Sequence, residues 1–282
     1  MIVPAHNEAA VLERCLQTML GDYVDGEFEV VVVANGCTDQ TAEIARSFGA
    51  PVRVIETPVP SKSKALNLGD DEAQGFPRMY VDADVDVRTD ALRAVAAALT
   101  GPSAYVVAAP RAEFSVEGCT RTVRSFVRVW SSLPYFTEGV VGAGFYAFSE
   151  AGRGRFGRFP ELIADDEFAR RVARPHERGR VEGESFTIRP PATVRSLLHV
   201  MVRVRAGLKE LEREFPASRK NRGTGKRRTL RTIAKRPSLW PHAPIYLAIM
   251  FAASVRASRK LRTNRDTWER DETSRGGGPS GT

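Results

Sequence analysis

Three carboxylates alternate at the end of an apolar run in Tyr80-Val81-Asp82-Ala83-Asp84-Val85-Asp86. Along a strand, residues of one parity share a face, and a strand end at the carboxyl edge of an α/β sheet opens into the ligand crevice. Asp82 and Asp84, so placed, can approach one divalent cation and the phosphates that travel with it. The same spacing also suits a solvated strand-to-helix turn with Asp86 and Asp90 as caps, and this run alone leaves both readings open. A second acidic group, Asp165-Asp166-Glu167, runs into a helix-forming stretch. One carboxylate of the Asp165-Asp166 pair, with Asp166 favoured, suits a general base, and adjacent carboxylates raise one another's pKa. Ordinary acidic enrichment in a first helical turn is the plainer use. Between the two acidic groups, Ser61-Lys62-Ser63-Lys64 offers cations: Lys64 is placed as a phosphate contact. Lys62, Arg153, Arg155 and Arg158 are weaker candidates, since such side chains more often carry solvated charge.

Holding these groups together requires a sheet, and the first hundred residues spell one. Glu29 to Val33 reads as a buried strand with Asn35-Gly36 as its turn, and Thr38 to Phe48 as a helix. The unit repeats as strand Pro51 to Glu56, helix Ser61 to Ala73, strand Arg78 to Asp82 and helix Thr89 to Leu99, the last opened by a Thr89-Asp90 cap signal. Val11, Leu12, Cys15, Leu16 and Met19 fall at helical spacing after the short strand Ile2-Val3. This βαβαβαβ order predicts an α/β fold, a mostly parallel sheet with helices on both faces. Further on, a strand from Tyr105 to Ala109, a helix from Thr120 to Ser132 and a glycine-rich hairpin over Gly139 to Tyr146 are expected. Tight turning is the commoner use of Gly142 and Gly144.

Taken together, these segments resemble the family-2 glycosyltransferases of the GT-A fold. Val3-Pro4-Ala5-His6-Asn7-Glu8 is similar to that family's first strand and nucleotide-contacting turn, and Val31 to Asp39 to its second strand and turn. Ser61 to Asn67 resembles its basic loop, Asp82-Ala83-Asp84 its D-x-D metal motif, and Asp165-Asp166 its acidic catalytic pair. The resemblance implies a Rossmann-like GT-A fold over about residues 1 to 175 and transfer of a sugar, with inversion, from a nucleotide diphosphate donor to an acceptor hydroxyl. It implies donor contacts at Pro4, Ala5, Glu8, Asn35, Lys64 and Asp82, and Mg²⁺ or Mn²⁺ on Asp84 and Asp82. A metal-bound diphosphate is a stabilised leaving group, which agrees with the chemistry of the residues.

Two departures from the family pattern bear on specificity. Where the second strand of the family commonly ends in two Asp residues, this chain has Ala34-Asn35, and Asn35 offers a base edge both a donor and an acceptor. The Q-x-x-R-W signature of processive synthases is absent, which favours transfer of one residue at a time. Asp39 reads as a helix cap, His6 as a structural neighbour of the first turn, and His176 as a surface loop residue.

The net charge of +8 conceals two unlike parts. Residues 1 to 194 carry 21 Lys/Arg against 27 Asp/Glu, net −6, and residues 195 to 282 carry 21 against 7, net +14. The first part is expected to be the catalytic domain, with a donor half over 1 to 100 and an acceptor half over 101 to 194. The second is expected to be a basic helical extension over 195 to 270 and a disordered tail over 271 to 282. Within the extension, Ala243 to Val255 is apolar, short of the roughly 20 residues of a spanning helix, and flanked by basic clusters. Two placements are open for it: an interfacial helix on an anionic membrane, with a lipid-linked or carbohydrate acceptor nearby, or a core helix with a basic outer face. Trp268 to Glu272 reads as a docking element after that helix. Three cysteines without paired spacing, and an N-terminus without a basic, apolar leader, are those expected of a cytoplasmic protein. A sugar nucleotidyltransferase is the rival enzyme, but the glycine-rich pyrophosphate loop it would need is missing. Nucleic-acid binding by residues 219 to 236 would be nonspecific, for the cluster has no interleaved aromatics. A degenerate, noncatalytic transferase domain is the third alternative.

Overall fold

The computed structural model describes residues 1–102, 105–137, 143–222 and 225–262. In chain order the elements are β1 (Ile2–Ala5), α1 (Ala9–Leu20), β2 (Val30–Asn35), α2 (Thr41–Ser47), β3 (Val52–Thr57), α3 (Lys62–Glu72) and β4 (Arg78–Val81). There follow the two-residue β5 (Asp86–Val87), α4 (Thr89–Thr100), β6 (Val107–Phe114), α5 (Arg121–Trp130), α6 (Pro134–Thr137) and β7 (Phe145–Phe148). The rest comprises α7 (Glu150–Arg153), α8 (Asp165–Val172), β8 (Arg178–Ile188), α9 (Val194–Glu214), α10 (Lys226–Ala234) and α11 (Ala243–Arg262).

Two compact units divide these elements. The first is built from Met1–Glu113, Gly139–Glu161 and Asp165–Ile188. It holds one sheet of eight strands in the order β3-β2-β1-β4-β7-β6-β8-β5. β3, β2, β1 and β4 run parallel, as right-handed βαβ crossovers dictate. Every residue of β2 is buried, as a strand covered on both faces must be. β7 enters antiparallel between β4 and β6, so the carboxyl end of β4 meets the start of a strand that comes from 64 positions further along the chain at Val81 and Phe145.

Three expectations are corrected here. Thr89 is not a cap: it is the first residue of α4, buried, and its hydroxyl donates to the Met19 carbonyl at 3.0 Å and accepts from the Asp22 amide at 3.1 Å, tying α4 to the end of α1. The strand expected at Tyr105 starts at Val107 and continues to Phe114. β8, eleven residues long, has no counterpart in the sequence reading, because Arg178-Gly179-Arg180-Val181-Glu182-Gly183-Glu184 places charges and glycines where alternation would show, and most of the strand stays half-exposed.

The second unit comprises Phe114–Glu138, Leu162–Ala164 and Arg189–Thr282. Its core joins Val123, Phe126 and Val127 of α5, Leu197 and Met201 of α9, and Tyr246, Ile249, Ala253 and Ala257 of α11. The helical extension drawn from residue 195 onward therefore shares its core with the segment around α5, whose buried face pairs with α11 rather than standing in an acceptor half. Thr120 and Thr193 cap α5 and α9 by accepting from the amides of Val123 and Ser196. Most of the glycine-rich turn over Gly139 to Gly142, the docking element over Trp268 to Glu272 and the tail over 271 to 282 lie outside the described residues.

Candidate active site

The first two strand ends are sewn to one another. Asn7, after β1, takes a left-handed backbone (φ +52°), a conformation Asn tolerates better than most residues. It is held there because its Oδ1 accepts from the Thr38 amide at 2.6 Å. Cys37 Sγ donates to the Ala5 carbonyl at 3.5 Å, and His6 Nδ1 donates to the Asn35 carbonyl at 2.5 Å, the structural place expected of His6. Gly36, at φ +58°, lies where a Cβ would stand 2.8 Å from Pro60, so the turn admits no side chain. Asp39 accepts from Thr41 through Oδ1 and from the Ala9 amide through Oδ2 at 3.2 Å. Burial works against its charge, yet these bonds hold its carboxyl below the ordinary range.

Asn35 departs from its expected role. It is buried, and its Nδ2 donates to the carbonyls of Ala5 at 2.8 Å and Val33 at 3.4 Å. Only Oδ1, which has no protein partner, remains to meet another group. The two-way reading of a base edge is thus reduced to acceptance.

At the end of β4 the chain turns. The Asp82 amide donates to the Gly144 carbonyl at 2.8 Å and the Val85 amide to the Asp82 carbonyl at 3.1 Å. Gly144 sits at φ +88°, with a Cβ position 2.6 Å from Val85 Cγ2, so only glycine backs this turn. Ala83, Val85 and Val87 are buried while Asp82, Asp84 and Asp86 stay partly open, which puts the three carboxylates on one side as alternation requires. Asp86 is anchored by Arg14 of α1 at 2.9 Å. Asp82 meets Lys62, at the start of α3: Lys62 Nζ lies 2.7 Å from Asp82 Oδ1 and 3.2 Å from Asp165 Oδ1. One cation therefore bridges the D-x-D turn and the acidic pair at the start of α8.

Asp165 is only 4% exposed and accepts a further bond from Tyr146 Oη at 3.3 Å. Tyr146 stacks on Tyr80 with ring centroids 5.0 Å apart, an aromatic floor completed by Phe148 and Phe159. Burial opposes the charge on Lys62, but Asp165 and Asp82 outweigh it and raise its pKa. Burial also raises Asp165, with Lys62 pulling the other way. Asp166 is pushed up to about 8, first by burial and then by the Asp165 charge beside it. Its Oδ1 accepts from the Glu167 amide at 2.6 Å. Glu167 is committed elsewhere: Arg170 and Arg171 hold it at 2.6 to 2.7 Å within buried surroundings, and they keep its carboxyl low despite burial.

The structure thus gathers Asp82, Asp165 and Asp166 around a lysine that the sequence reading ranked below Lys64. Lys64 is exposed, 3.8 Å from Glu161, and lines a cleft with Asn67, Asp71 and Arg158. The distinguishing signal was present: Lys62 lies in register with Ala65, Leu66 and Gly69, the buried stripe of α3, whereas Lys64 is off it. The arginines also find partners, Arg153 on Asp70, Arg155 on Glu177 and Arg158 on Asp71. Among the described residues no three His, Cys, Asp or Glu side chains form a ready-made metal cage.

The sequence profile described as Glycosyl transferase family 2 matches residues 1–160, more than half of the chain. The chain belongs to that family. Among similar proteins, glycosyltransferase AglE of Haloferax volcanii is 32% identical over 89 residues, covering 30% of this chain and 29% of that protein. The matches span 22 to 40% of the length of the curated relatives. Among solved structures, the mannosyltransferase PcManGT of Pyrobaculum calidifontis, in complex with GDP-Man and Mn²⁺, has a TM-score of 0.64 at 19% identity, covering 94% of this chain and 87% of that one. Glucosyl-3-phosphoglycerate synthase of Mycobacterium tuberculosis, in complex with phosphoglyceric acid, gives 0.54 at 20% identity, covering 75% and 77%. These likenesses establish the GT-A fold. The family match ends before Asp165, and the Lys62 bridge connects this family-2 chain's acidic pair to the matched region.

Proposed function

We propose that this chain transfers a single sugar residue, with inversion, from a nucleotide diphosphate sugar to the hydroxyl of a carbohydrate or lipid-linked acceptor, in the synthesis of a cell-surface glycan or glycolipid. The observation that carries the reading is the Lys62 bridge. It draws the end of β4 and the start of α8 together at the carboxyl edge of the sheet, where α/β folds take ligands. The turns after β1 and β2, with Pro4, Ala5, Glu8 and the acceptor Oδ1 of Asn35, provide the nucleotide side.

Asp82 and Asp84 present hard oxygen donors on the open side of their turn, and Asp82 already faces a cation in Lys62, so the donor set fits Mg²⁺ or Mn²⁺ with phosphate oxygens completing the shell. Such an ion, held by Asp84 and Asp82, would supply Lewis-acid stabilisation of the diphosphate as it leaves. PcManGT, captured with GDP-Man and Mn²⁺, lends support to the same chemistry.

Asp166 is assigned as the base. With its pKa near 8, its carboxylate is a far stronger proton acceptor than an ordinary aspartate, and it operates close to neutral pH. Asp165 is the positioning partner: its hydrogen bond from Tyr146 and its contact with Lys62 fix the start of α8. Lys62 also limits how far the two carboxylates repel, since its charge lowers both.

A thermal-shift panel of UDP-, GDP- and dTDP-sugars with and without Mn²⁺, on the wild type and on Asp84→Ala, tests the reading. One donor class should stabilise the wild type only with metal, and Asp84→Ala should abolish the shift. No shift with any donor, in folded protein, would overturn it.

A further inference from the structure

Helix α11 has two apolar faces, and among the described residues only one is packed in a core. Tyr246, Ile249, Ala253 and Ala257 are buried in the core of the second unit. On the opposite side, at the same helical spacing, Leu247 is 46% exposed and Phe251 73% exposed. Pro244 and Ala248 are exposed between them. Trp240, which precedes the helix, is 57% exposed while its Nε1 is tethered to the Ile233 carbonyl at 3.2 Å. An amphipathic surface helix shows charge on the side away from its core; this one shows leucine and phenylalanine, with the exposed Trp240 just before it. The charge is displaced to both ends. Arg227, Arg228, Arg231, Lys235 and Arg236 before the helix and Arg256 and Arg259 near its end are all exposed. From Phe215 to Arg265 the chain carries 14 Lys/Arg and no Asp or Glu.

We propose that the outward face of α11 seats in the interface of an anionic membrane, with Trp240, Leu247 and Phe251 entering the acyl boundary and the flanking arginines and lysines meeting lipid phosphates. The inference goes beyond glycosyl transfer and does not rest on it. An apolar stripe rimmed by exposed basic residues matches an anionic lipid surface in both respects. A nucleic-acid backbone would account for the charge alone, and a second copy of this chain would bring like charge against like. Aromatic residues at this position suit the headgroup level. Among the described residues no helix is long and apolar enough to cross a membrane, so α11 lies in the interface plane. Of the two placements left open by the sequence, the inward face takes the core one, and the proposal assigns the outward face to the other.

The test is co-sedimentation of the full chain with vesicles of phosphatidylcholine alone and with 30 mol% phosphatidylglycerol, at low and high salt. The wild type should sediment with the anionic vesicles, about tenfold more than with neutral ones, and less at high salt. Leu247→Glu/Phe251→Glu, both at exposed positions, should lose that binding at least tenfold while keeping the wild-type melting temperature and the donor-dependent thermal shift. Arg227→Glu/Arg228→Glu/Arg231→Glu should lose the preference for anionic over neutral vesicles. Equal sedimentation of Leu247→Glu/Phe251→Glu and wild type would overturn the proposal. So would RNA binding without vesicle binding, or a dimer that the same double substitution converts to monomer in protein that ignores vesicles. A lost donor shift with vesicle binding intact would instead count against the transferase reading alone.

Discussion

Two ionic clusters in the first unit use the same residue types to opposite ends. At Asp70 a single buried carboxylate receives Arg78 at 2.9 Å, Arg153 and the Tyr80 hydroxyl at 2.8 Å. Donors exceed acceptors, every element of the knot is packed, and Arg153 further covers Phe156 with its guanidinium 4.3 Å from the ring centroid. At Lys62 the balance is reversed: a single ammonium faces Asp82 and Asp165, with Asp166 adjoining. A structural carboxylate is saturated by its own fold, whereas the cluster left with surplus negative charge holds Asp165 and Asp166 at raised pKa and would be completed by a cation from outside. The sign of the imbalance, more than burial or the number of charges, separates the cluster that holds the sheet together from the one proposed to do chemistry.

The contrast is tested most severely at Asp166. Asp166→Asn should lower kcat by about 10²- to 10⁴-fold with little change in donor binding, as measured by steady-state transfer and by thermal shift. The base must be ionised, so the wild-type rate should climb as pH rises through about 8, and the variant should show no such rise. The same raised pKa carries a stability consequence. Native Asp166 keeps its proton in a range where the unfolded residue, at 3.8, has lost it. Its contribution is therefore complete below that ordinary value and is lost as pH climbs through about 8; urea titrations of wild type and Asp166→Asn should diverge across this window.

Asp70→Ala is the matching blow to the other cluster. It leaves two guanidinium groups without their shared counter-charge and should cost about 3–5 kcal/mol in a denaturant titration, while the donor-induced shift persists in the molecules that remain folded. Asp84→Ala should cut transfer by roughly 10²- to 10³-fold at nearly unchanged melting temperature, which is the reverse of the Asp70 outcome. Lys62→Met is the mildest and most diagnostic change. Removing the cation that bridges Asp82 and Asp165 should shift the rising limb of the pH–rate profile to higher pH, since Lys62 holds both Asp165 and Asp166 down. A shift to lower pH would refute the charge argument.

Much of this was legible from residue order because the relevant physics is local. The repeat of buried β-branched runs and helix-period segments foretold β1 to β4 with their intervening helices. The alternation of Asp82, Asp84 and Asp86 foretold their common side even though the backbone there turns. What escaped depended on partners distant in sequence. Lys62 and Lys64 are two positions apart and chemically identical; helical register puts Lys62 on the buried stripe of α3, but that it meets Asp165 depends on how that helix lies against the sheet. The second strand's Asn35 looked like a ligand group because its amide is versatile, but the Ala5 carbonyl 30 positions away claims its donor. β8 escaped because half-exposed strands carry little apolar alternation, and α11 offered two readings because both of its faces are apolar.

The placement of β7 sets an order of events in folding. Strands β1, β2 and β3 pair as successive neighbours across short crossovers, but both partners of β4 are distant in sequence, β1 at Ile2 with Tyr80 and β7 at Val81 with Phe145, and such closures come late. The Asp82 amide is bonded to the Gly144 carbonyl across that last seam. The β1 to β3 part of the sheet can therefore be ordered before the D-x-D turn has acquired its backing. Hydrogen exchange at Asp82 during refolding should report protection later than at Val31 or Val32, marking the moment at which the acidic turn, rather than merely the first strands of the sheet, is complete.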